Sequence, residues 1–172
     1  MQSLLTKLHT FNYNELTEDL NMKNIFDVLK DSHEKQRLLM GALLQTSGDT
    51  QARKEFYISL KEELNSHACA EERYFYAPLI DSDQAIDLTR HGIAEHHGID
   101  KVINEIDNTK MSSPAWLTLM KKLKHKVEHH LEEEEQSFFQ TAGRILNTEQ
   151  KQVLARNYEK EVFAEKPQIN VA

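Results

Sequence analysis

A pattern of one histidine, two glutamates and two aromatic residues occurs twice in this 172-residue chain, at positions 67 and 130. The first copy reads HACAEERYFY and the second reads HLEEEEQSFF. Both fit H-x-x-x-E-E-x-x-F followed by an aromatic residue. Two further histidines, His33 and His96, stand at the same offset, and each precedes its copy by the same step of 34 (33 to 67, 96 to 130). This repetition predicts two helical hairpins, each bringing one lone histidine and one His-x3-Glu pair to a shared centre.

The composition also favours helices, because the chain has only 3 Pro and 5 Gly and is rich in Leu, Glu, Lys and Ala. Capping and turn residues divide the sequence: Asn21 as a helix cap, Ser47-Gly48-Asp49-Thr50 as a turn, and Pro114 at a first helical position. Four long helices and a shorter fifth are predicted over residues 22–46, 51–77, 84–108, 114–141 and 147–163.

Long helices joined by short turns pack most naturally as an up-down-up-down bundle. We therefore predict an all-α fold, a four-helix bundle with an additional short C-terminal helix. The predicted organisation is an N-terminal extension over residues 1–20, the bundle over residues 21–145, and the C-terminal helix and tail over residues 146–172.

A helical wheel tests whether the His-x3-Glu pairs face the core. At about 100° per residue, a histidine and a glutamate four positions apart differ by about 40° and share one face. Glu134 and His130 fall on the apolar stripe of their helix, and Glu71 and His67 do the same on theirs. The stripes consist of Trp116, Met120, Leu123 and Val127 in one case and of Phe56, Leu60, Leu64 and Phe75 in the other.

Buried carboxylates and imidazoles are costly without partners, and a metal cluster would compensate them. A lone histidine on an apolar face is more often a core residue than a ligand, but the matched spacing in both halves favours a metal centre. The candidate ligands are His33, His67, Glu71, His96, His130 and Glu134. His91 is an additional candidate if its helix is locally distorted, and Glu72 and Glu135 are candidates for supporting hydrogen bonds. The wheel places His97, His125 and His129 towards solvent.

The remaining bulk properties exclude several classes of partner. A net charge of −7 argues against nucleic acid, and no apolar run approaches the roughly 20 residues that span a bilayer. The first residues lack the apolar region of a signal peptide. A single cysteine, Cys69, excludes an internal disulfide framework and fits a reducing compartment. We therefore expect a cytoplasmic protein.

These residues resemble the hemerythrin-like family, also called the HHE cation-binding domain. The matching pieces, over roughly residues 22–145, are Asp31-Ser32-His33-Glu34, the two His-x3-Glu-Glu motifs, and Glu95-His96. The resemblance implies a non-haem centre of two iron ions bridged by carboxylates and an oxo or hydroxo group. It also implies that His33, His67, His96 and His130 are terminal ligands, and that Glu71 and Glu134 bridge the two metals.

One departure narrows the functional expectation. Oxygen-carrying hemerythrins have two histidines four positions apart on the third helix, whereas Gly92 and Asp100 flank His96 at that distance here. The pattern is closer to bacterial HHE proteins. The leading hypothesis is a di-iron protein that binds or reacts with oxygen, nitric oxide or peroxide at an open position facing the third helix. An iron- or oxygen-sensing module without turnover is the alternative, and a ferritin-like oxidase or store ranks below both. Whether the protein is an enzyme, and which protein partner it has, stay open.

Overall fold

The computed structural model describes residues 23–164, and these residues form helices and connecting turns without any strand. The predicted all-helical class is therefore confirmed for this part of the chain. The predicted N-terminal extension, residues 1–20, and the predicted cap Asn21 lie outside the described residues. The α-helices are α1 Ile25–Leu44, α2 Gln51–Glu71, α3 Ile86–Asp107, α4 Pro114–Glu133, α5 Phe139–Ile145 and α6 Thr148–Ala164.

Local capping fixes where three of the long helices begin. Asn24 forms a capping box at the start of α1, in which its side chain accepts from Phe26 N and Asp27 accepts from the Asn24 backbone. Thr50 and Ser113 cap α2 and α4 through their side-chain oxygens alone, which accept from the backbone N–H three residues further on. These hydrogen bonds satisfy backbone N–H groups that have no partner within the helix. Helix α1 thus begins three residues after the predicted start.

Two helices change from α to π geometry at the glutamates of the repeated motif. The first π turn is Glu72–Tyr76, which a short 3₁₀ turn Ala77–Leu79 follows, and the second π turn is Glu134–Phe138. The chain stays helical to the predicted ends at residues 77 and 141, but the constant α-helical rotation that the wheel assumes does not hold in these turns. The hydrogen-bonded loop of a π turn contains one residue more than that of an α turn, and π turns are frequent at functional sites. Both copies of the repeated motif therefore contain the same kind of local distortion.

The helices enclose two apolar clusters with a polar layer between them. Helix α1 packs along α2, α3 along α4, and α1 also contacts α4, while α6 covers α1 and α2. One cluster contains Leu60, Trp116 and Met120, and the other contains Leu29, Phe75 and Phe138. The candidate ligands lie between the two clusters along each helix. Apolar packing on both sides keeps this polar layer away from water.

The wheel prediction holds for most of the apolar stripe but not for all of it. Leu60, Leu64, Trp116 and the other predicted members are buried, whereas Phe56 is 37 % exposed. Tyr57 is buried beside Trp116 instead, because the inward face near the start of α2 is centred one residue further on. Within residues 23–164, no helix combines the length and the apolar character that crossing a membrane requires. The up-down-up-down order and the division at residues 21 and 146 stay predictions.

Candidate metal centre

All six candidate ligands lie in the polar layer, and none of them is more than 5 % exposed. Helix α1 contributes one histidine, α2 a histidine and a glutamate, α3 one histidine, and α4 with its π turn a histidine and a glutamate. These are His33, His67, Glu71, His96, His130 and Glu134. The wheel therefore predicted the inward direction of His67, Glu71, His130 and Glu134 correctly, and the repeat predicted that of His33 and His96. That they bind metal stays a prediction.

The inward atoms stand as close together as ligands of common ions. His96 Nε2 lies 3.2 Å from His130 Nε2 and 3.3 Å from Glu71 Oε2. On the other side, His33 Nε2 lies 3.4 Å from Glu134 Oε2. Ligand atoms that bind one ion at about 2.1 Å are themselves roughly 3 Å apart. The donor set therefore has the spacing of a metal site.

Two overlapping groups of ligand atoms can be drawn in this layer, each with members within 4.8 Å of one another. One group is His67, Glu71, His96 and His130, and the other is His33, His67, Glu71 and Glu134. The shared members lie between the two groups. Such overlap provides for two neighbouring ions with a carboxylate between them.

The polar layer contains a set of buried polar atoms without hydrogen-bond partners in the protein. Both oxygens of Glu71 and both oxygens of Glu134 have none, and neither do Nε2 of His33 and Nε2 of His67. Native proteins pair nearly all such atoms, because an unpaired buried polar group costs roughly 1–3 kcal/mol. A cluster of cations would satisfy all of these atoms at once, so the residues fit a metal centre.

Each ligand histidine is held by a hydrogen bond at its other ring nitrogen. The Nδ1 atoms of His33, His67, His96 and His130 face Glu135 Oε1 (2.8 Å), Tyr158 Oη (2.8 Å), Glu72 Oε1 (2.8 Å) and Glu95 Oε2 (2.9 Å), respectively. When Nδ1–H donates to these oxygens, the lone pair of a neutral imidazole is at Nε2, the atom that points inward. The four rings are thus oriented as metal ligands.

The sequence indicated part of this supporting set. Glu72 and Glu135 follow the two motif glutamates and were predicted in this role, which the hydrogen bonds bear out. Tyr158 was missed, because it lies on α6 and 91 positions away from its partner. No periodicity within α6 marks it as different from an ordinary core tyrosine. Arg37 donates to Glu135 Oε1 over 3.0 Å and thereby fixes that carboxylate.

Protons take up part of the negative charge when no metal is bound. Burial disfavours protonation of His33, but the carboxylates of Glu134 and Glu135 beside the ring outweigh it and raise the pKa of the imidazole to about 9. For His96, burial is outweighed in the same way by the carboxylates of Glu71 and Glu72, which raise its pKa to about 10. These two imidazoles are therefore imidazolium at neutral pH.

The pKa values of the two inward carboxyl groups are shifted in opposite directions. Burial favours the neutral form of Glu71, but His67 and His96 outweigh it and hold the pKa of this carboxyl well below its usual range. Burial and the neighbouring charge of Glu71 raise the pKa of Glu134. For His67, burial lowers the pKa of the imidazole. Divalent cations would replace these protons, because a metal ligand must be deprotonated.

The aromatic residues of the repeated motif pack beside the polar layer. Phe75, Tyr76, Phe138 and Phe139 are all buried. Tyr76 stacks on the ring of His96 with centroids 5.6 Å apart, and its hydroxyl is buried without a hydrogen-bond partner.

This hydroxyl occupies the space beside Gly92. A Cβ atom at Gly92 would lie 2.5 Å from the Tyr76 oxygen. Glycine at this position therefore leaves the room that the Tyr76 side chain fills.

His91 does not join the buried layer. Its side chain is 58 % exposed, and its Nε2 lies 3.0 Å from Glu133 Oε2. His97, His125 and His129 are exposed as well, as the wheel predicted. His91 instead lines a cavity of about 140 Å³ that also reaches Tyr76, His130 and Glu134. It therefore lies outside the buried layer, at a cavity that reaches three residues of this layer and its surroundings.

Two known proteins are similar to this chain, one in structure and one in sequence. The crystal structure of a hemerythrin HHE cation binding domain-containing protein from Mycobacterium kansasii superposes with a TM-score of 0.77 at 21 % sequence identity, covering 84 % of this chain and 88 % of that one. At this identity the likeness shows the fold alone. A protein of Nostoc sp. (strain PCC 7120 / SAG 25.82 / UTEX 2576) named DNA nickase is 27 % identical over 135 residues, which is 78 % of this chain but only 38 % of that protein.

The family comparison is decisive, because it covers most of the chain. Residues 24–142 match the family described as hemerythrin HHE cation binding domain. This span contains all six candidate ligands and both π turns. The chain therefore belongs to the hemerythrin HHE cation binding domain family.

Proposed function

We propose that this protein holds two non-haem iron ions in an up-down-up-down four-helix bundle and uses them to bind or transform a small ligand such as oxygen, nitric oxide or peroxide. The ligands would be His33, His67, His96 and His130 at the ends, with Glu71 and Glu134 between the ions. The observation that carries the proposal is the set of buried, unpartnered carboxylate and imidazole atoms facing one another. A mixed imidazole and carboxylate set suits iron.

The small-ligand position would face α3. This helix, like α1, supplies one of the six candidates, whereas α2 and the segment of α4 with its π turn supply two each. On the same side lies the 140 Å³ cavity, whose buried end is formed by Tyr76, His130 and Glu134. Two iron ions would supply coordination positions and redox equivalents there. This cavity supports an open position on the side of α3, because it is large enough for a few light atoms.

Tyr76 is the residue placed to orient such a ligand. Its hydroxyl has no protein partner, and burial together with the charges of Glu134 and Glu71 raises its pKa well above the usual range. It therefore stays protonated and can donate a hydrogen bond into the cavity. Gly92 leaves the room that the hydroxyl needs. The aromatic rings around it keep bulk water away from the centre.

Metal analysis of protein purified without oxygen tests the proposal most directly. We expect about two iron ions per chain and, after oxidation, the near-ultraviolet absorption of a bridged ferric pair. Replacement of Glu71 by Gln should abolish this stoichiometry. Wild-type protein that folds fully, takes up no more than a trace of iron and shows no such absorption would refute a di-iron centre.

Three outcomes then separate the functional alternatives. Reversible oxygenation would indicate carriage, rapid consumption of peroxide would indicate turnover, and strong thermal destabilisation on chelation without any reaction would indicate sensing. Sensing has a specific structural basis, because uncompensated buried charge couples metal occupancy to folding. The Nostoc relative is named a DNA nickase, but the match covers only 38 % of that protein. The name therefore does not test whether this chain binds nucleic acid, and the expected lack of such binding stays a prediction.

A further inference from the structure

The cavity that leads to the centre has a second group of cation ligands at its outer end. His91, Glu95 and Glu133 each offer one ligand atom, and these atoms lie within 4.8 Å of one another. We call these three residues the mouth cluster. His91 Nε2 lies 3.0 Å from Glu133 Oε2 and 3.7 Å from Glu95 Oε1. One imidazole and two carboxylates form a ligand set that a divalent transition metal accepts.

An exposed cluster of this kind is by itself an ordinary surface feature. What distinguishes this one is the inner wall of the same cavity, where Tyr76 Oη and both oxygens of Glu134 are buried without partners. The cavity therefore runs from cation ligands at the surface to unsatisfied polar atoms inside. Such atoms require a ligand, an ion or water.

The carboxylate of Glu95 contacts both a member of the mouth cluster and a candidate ligand of the buried centre. Glu95 faces His91 with Oε1 and accepts from His130 Nδ1 with Oε2 over 2.9 Å. An ion held at the mouth cluster would thus be one side chain away from a ligand of the centre. The spacing of His91 and Glu95, four residues apart on α3, places both on one face of the helix.

Within residues 23–164, a second cavity also touches the candidate ligands, but it is a poorer route. It measures about 20 Å³ and is lined by His67, His96 and His130, with Asp100 as its acidic member. That volume barely admits one water molecule. The path past the mouth cluster offers more space and more negative charge, both of which favour the passage of a cation.

We propose that the mouth cluster is a separate, weaker binding site for a divalent transition-metal ion, through which metal reaches the buried centre. This inference rests on the proposed metal centre. Its affinity is lower than that of the centre, because His91 and Glu133 are about half exposed and their charges are screened by water. The two carboxylates balance the charge of one divalent ion.

The kinetics of metal uptake test the proposal. Metal-free protein is mixed with Fe(II) without oxygen in a stopped-flow instrument. A chromophoric chelator added after set times binds the Fe(II) that is still free, so the fall in its absorbance signal measures how much metal the protein has taken up. The double variant H91A/E133Q should load roughly tenfold more slowly and reach the same final content and spectrum as the wild type. Glu95 is kept intact because it also holds His130.

His129→Ala is a closely matched control. His129 is 59 % exposed, and its Nε2 lies 3.6 Å from Glu133 Oε1, but it does not line the cavity. This variant should load at the wild-type rate. If His129→Ala slows loading as much as the double variant does, the slowing is a general effect of changes to the protein surface and not of the mouth cluster, and the proposal is overturned.

A second measurement uses the loaded protein. Zinc titrated calorimetrically into the filled wild-type protein should show one additional weak site, which the double variant lacks. If the double variant loads as fast as the wild type while holding its normal content, the loading role is refuted but the centre stands. If the wild type takes up no metal at the centre, the proposed function itself fails.

Discussion

Replacement of Tyr158 by Phe should weaken the metal centre from a helix outside the four that carry the ligands. The Tyr158 hydroxyl lies 2.8 Å from His67 Nδ1, and both residues are buried. Helix α6, which carries Tyr158, packs on α1 and α2. Removing the hydroxyl leaves the ring nitrogen of His67 without a partner and releases the orientation of its metal-binding atom.

The expected magnitude can be worked out in two ways. An unsatisfied buried donor costs about 1–3 kcal/mol. Loss of a hydrogen bond that orients a ligand histidine typically weakens metal affinity by about 10- to 100-fold, which corresponds to about 1.4–2.8 kcal/mol. The two figures agree, because both describe the same nitrogen atom. Part of this cost would appear in metal affinity and part in stability.

Tyr57→Phe supplies the matched control. Tyr57 is also buried and donates to Asp107 Oδ1 over 2.8 Å, but it lies among the apolar residues at the other end of α2. Its loss should cost about 1–2 kcal/mol of stability and leave metal affinity unchanged. Asp107 keeps its ion pair with Lys61 and remains partly exposed.

The assay is competition of each metal-free protein against a chromophoric chelator, together with thermal unfolding of the loaded and the metal-free forms. Tyr158→Phe should bind metal about 10- to 100-fold more weakly, and Tyr57→Phe should bind as the wild type does. Wild-type affinity in Tyr158→Phe, or an equal loss in both variants, would refute the role of α6 in orienting His67.

Three further predictions concern the centre and its surroundings. His130→Ala should lose bound metal whereas His129→Ala retains it, because only the first faces inward; equal metal content in both would contradict this choice of face. Gly92→Ala should destabilise the fold by about 1–3 kcal/mol through overlap with Tyr76, whereas Gly41→Ala, with free space around it, should stabilise it by up to about 1 kcal/mol; chemical denaturation distinguishes them. The two histidines with pKa values raised to about 9 and 10 stabilise the metal-free fold fully below about pH 6.5 and lose this contribution as pH rises through those values. The melting temperature of metal-free protein should therefore fall between pH 7.5 and 10 more than that of loaded protein, and identical profiles would count against this assignment.

Local geometry explains why the sequence was informative about the ligands. A histidine and a glutamate four residues apart must share a helix face, so their direction relative to Leu123 and Val127 could be read without knowing the partner helices. The repeat at 63 positions added that both halves present the same set. The predicted helices differ from the observed ones in their limits and local geometry, since α1 is capped by Asn24 and both motif helices change to π geometry.

The π turns show where a regular wheel fails. The wheel assumes a constant rotation per residue, and the extra residue in Glu72–Tyr76 shifts every later side chain. No residue in that segment signals the change by its type. The repetition of the same aromatic pattern after both pairs of glutamates was the one available hint.

By itself, the sequence determined the helical class, the family and the inward direction of four imidazoles and two carboxylates, because these depend on the order of residues along single helices. The tertiary structure decided which nitrogen of each ring points inward, that Tyr158 of α6 supports His67, and that Gly92 makes room for the Tyr76 hydroxyl. It also decided that His91 stands at the mouth of a cavity. All of these are distances between helices, and such distances are set only when the apolar faces pack against one another.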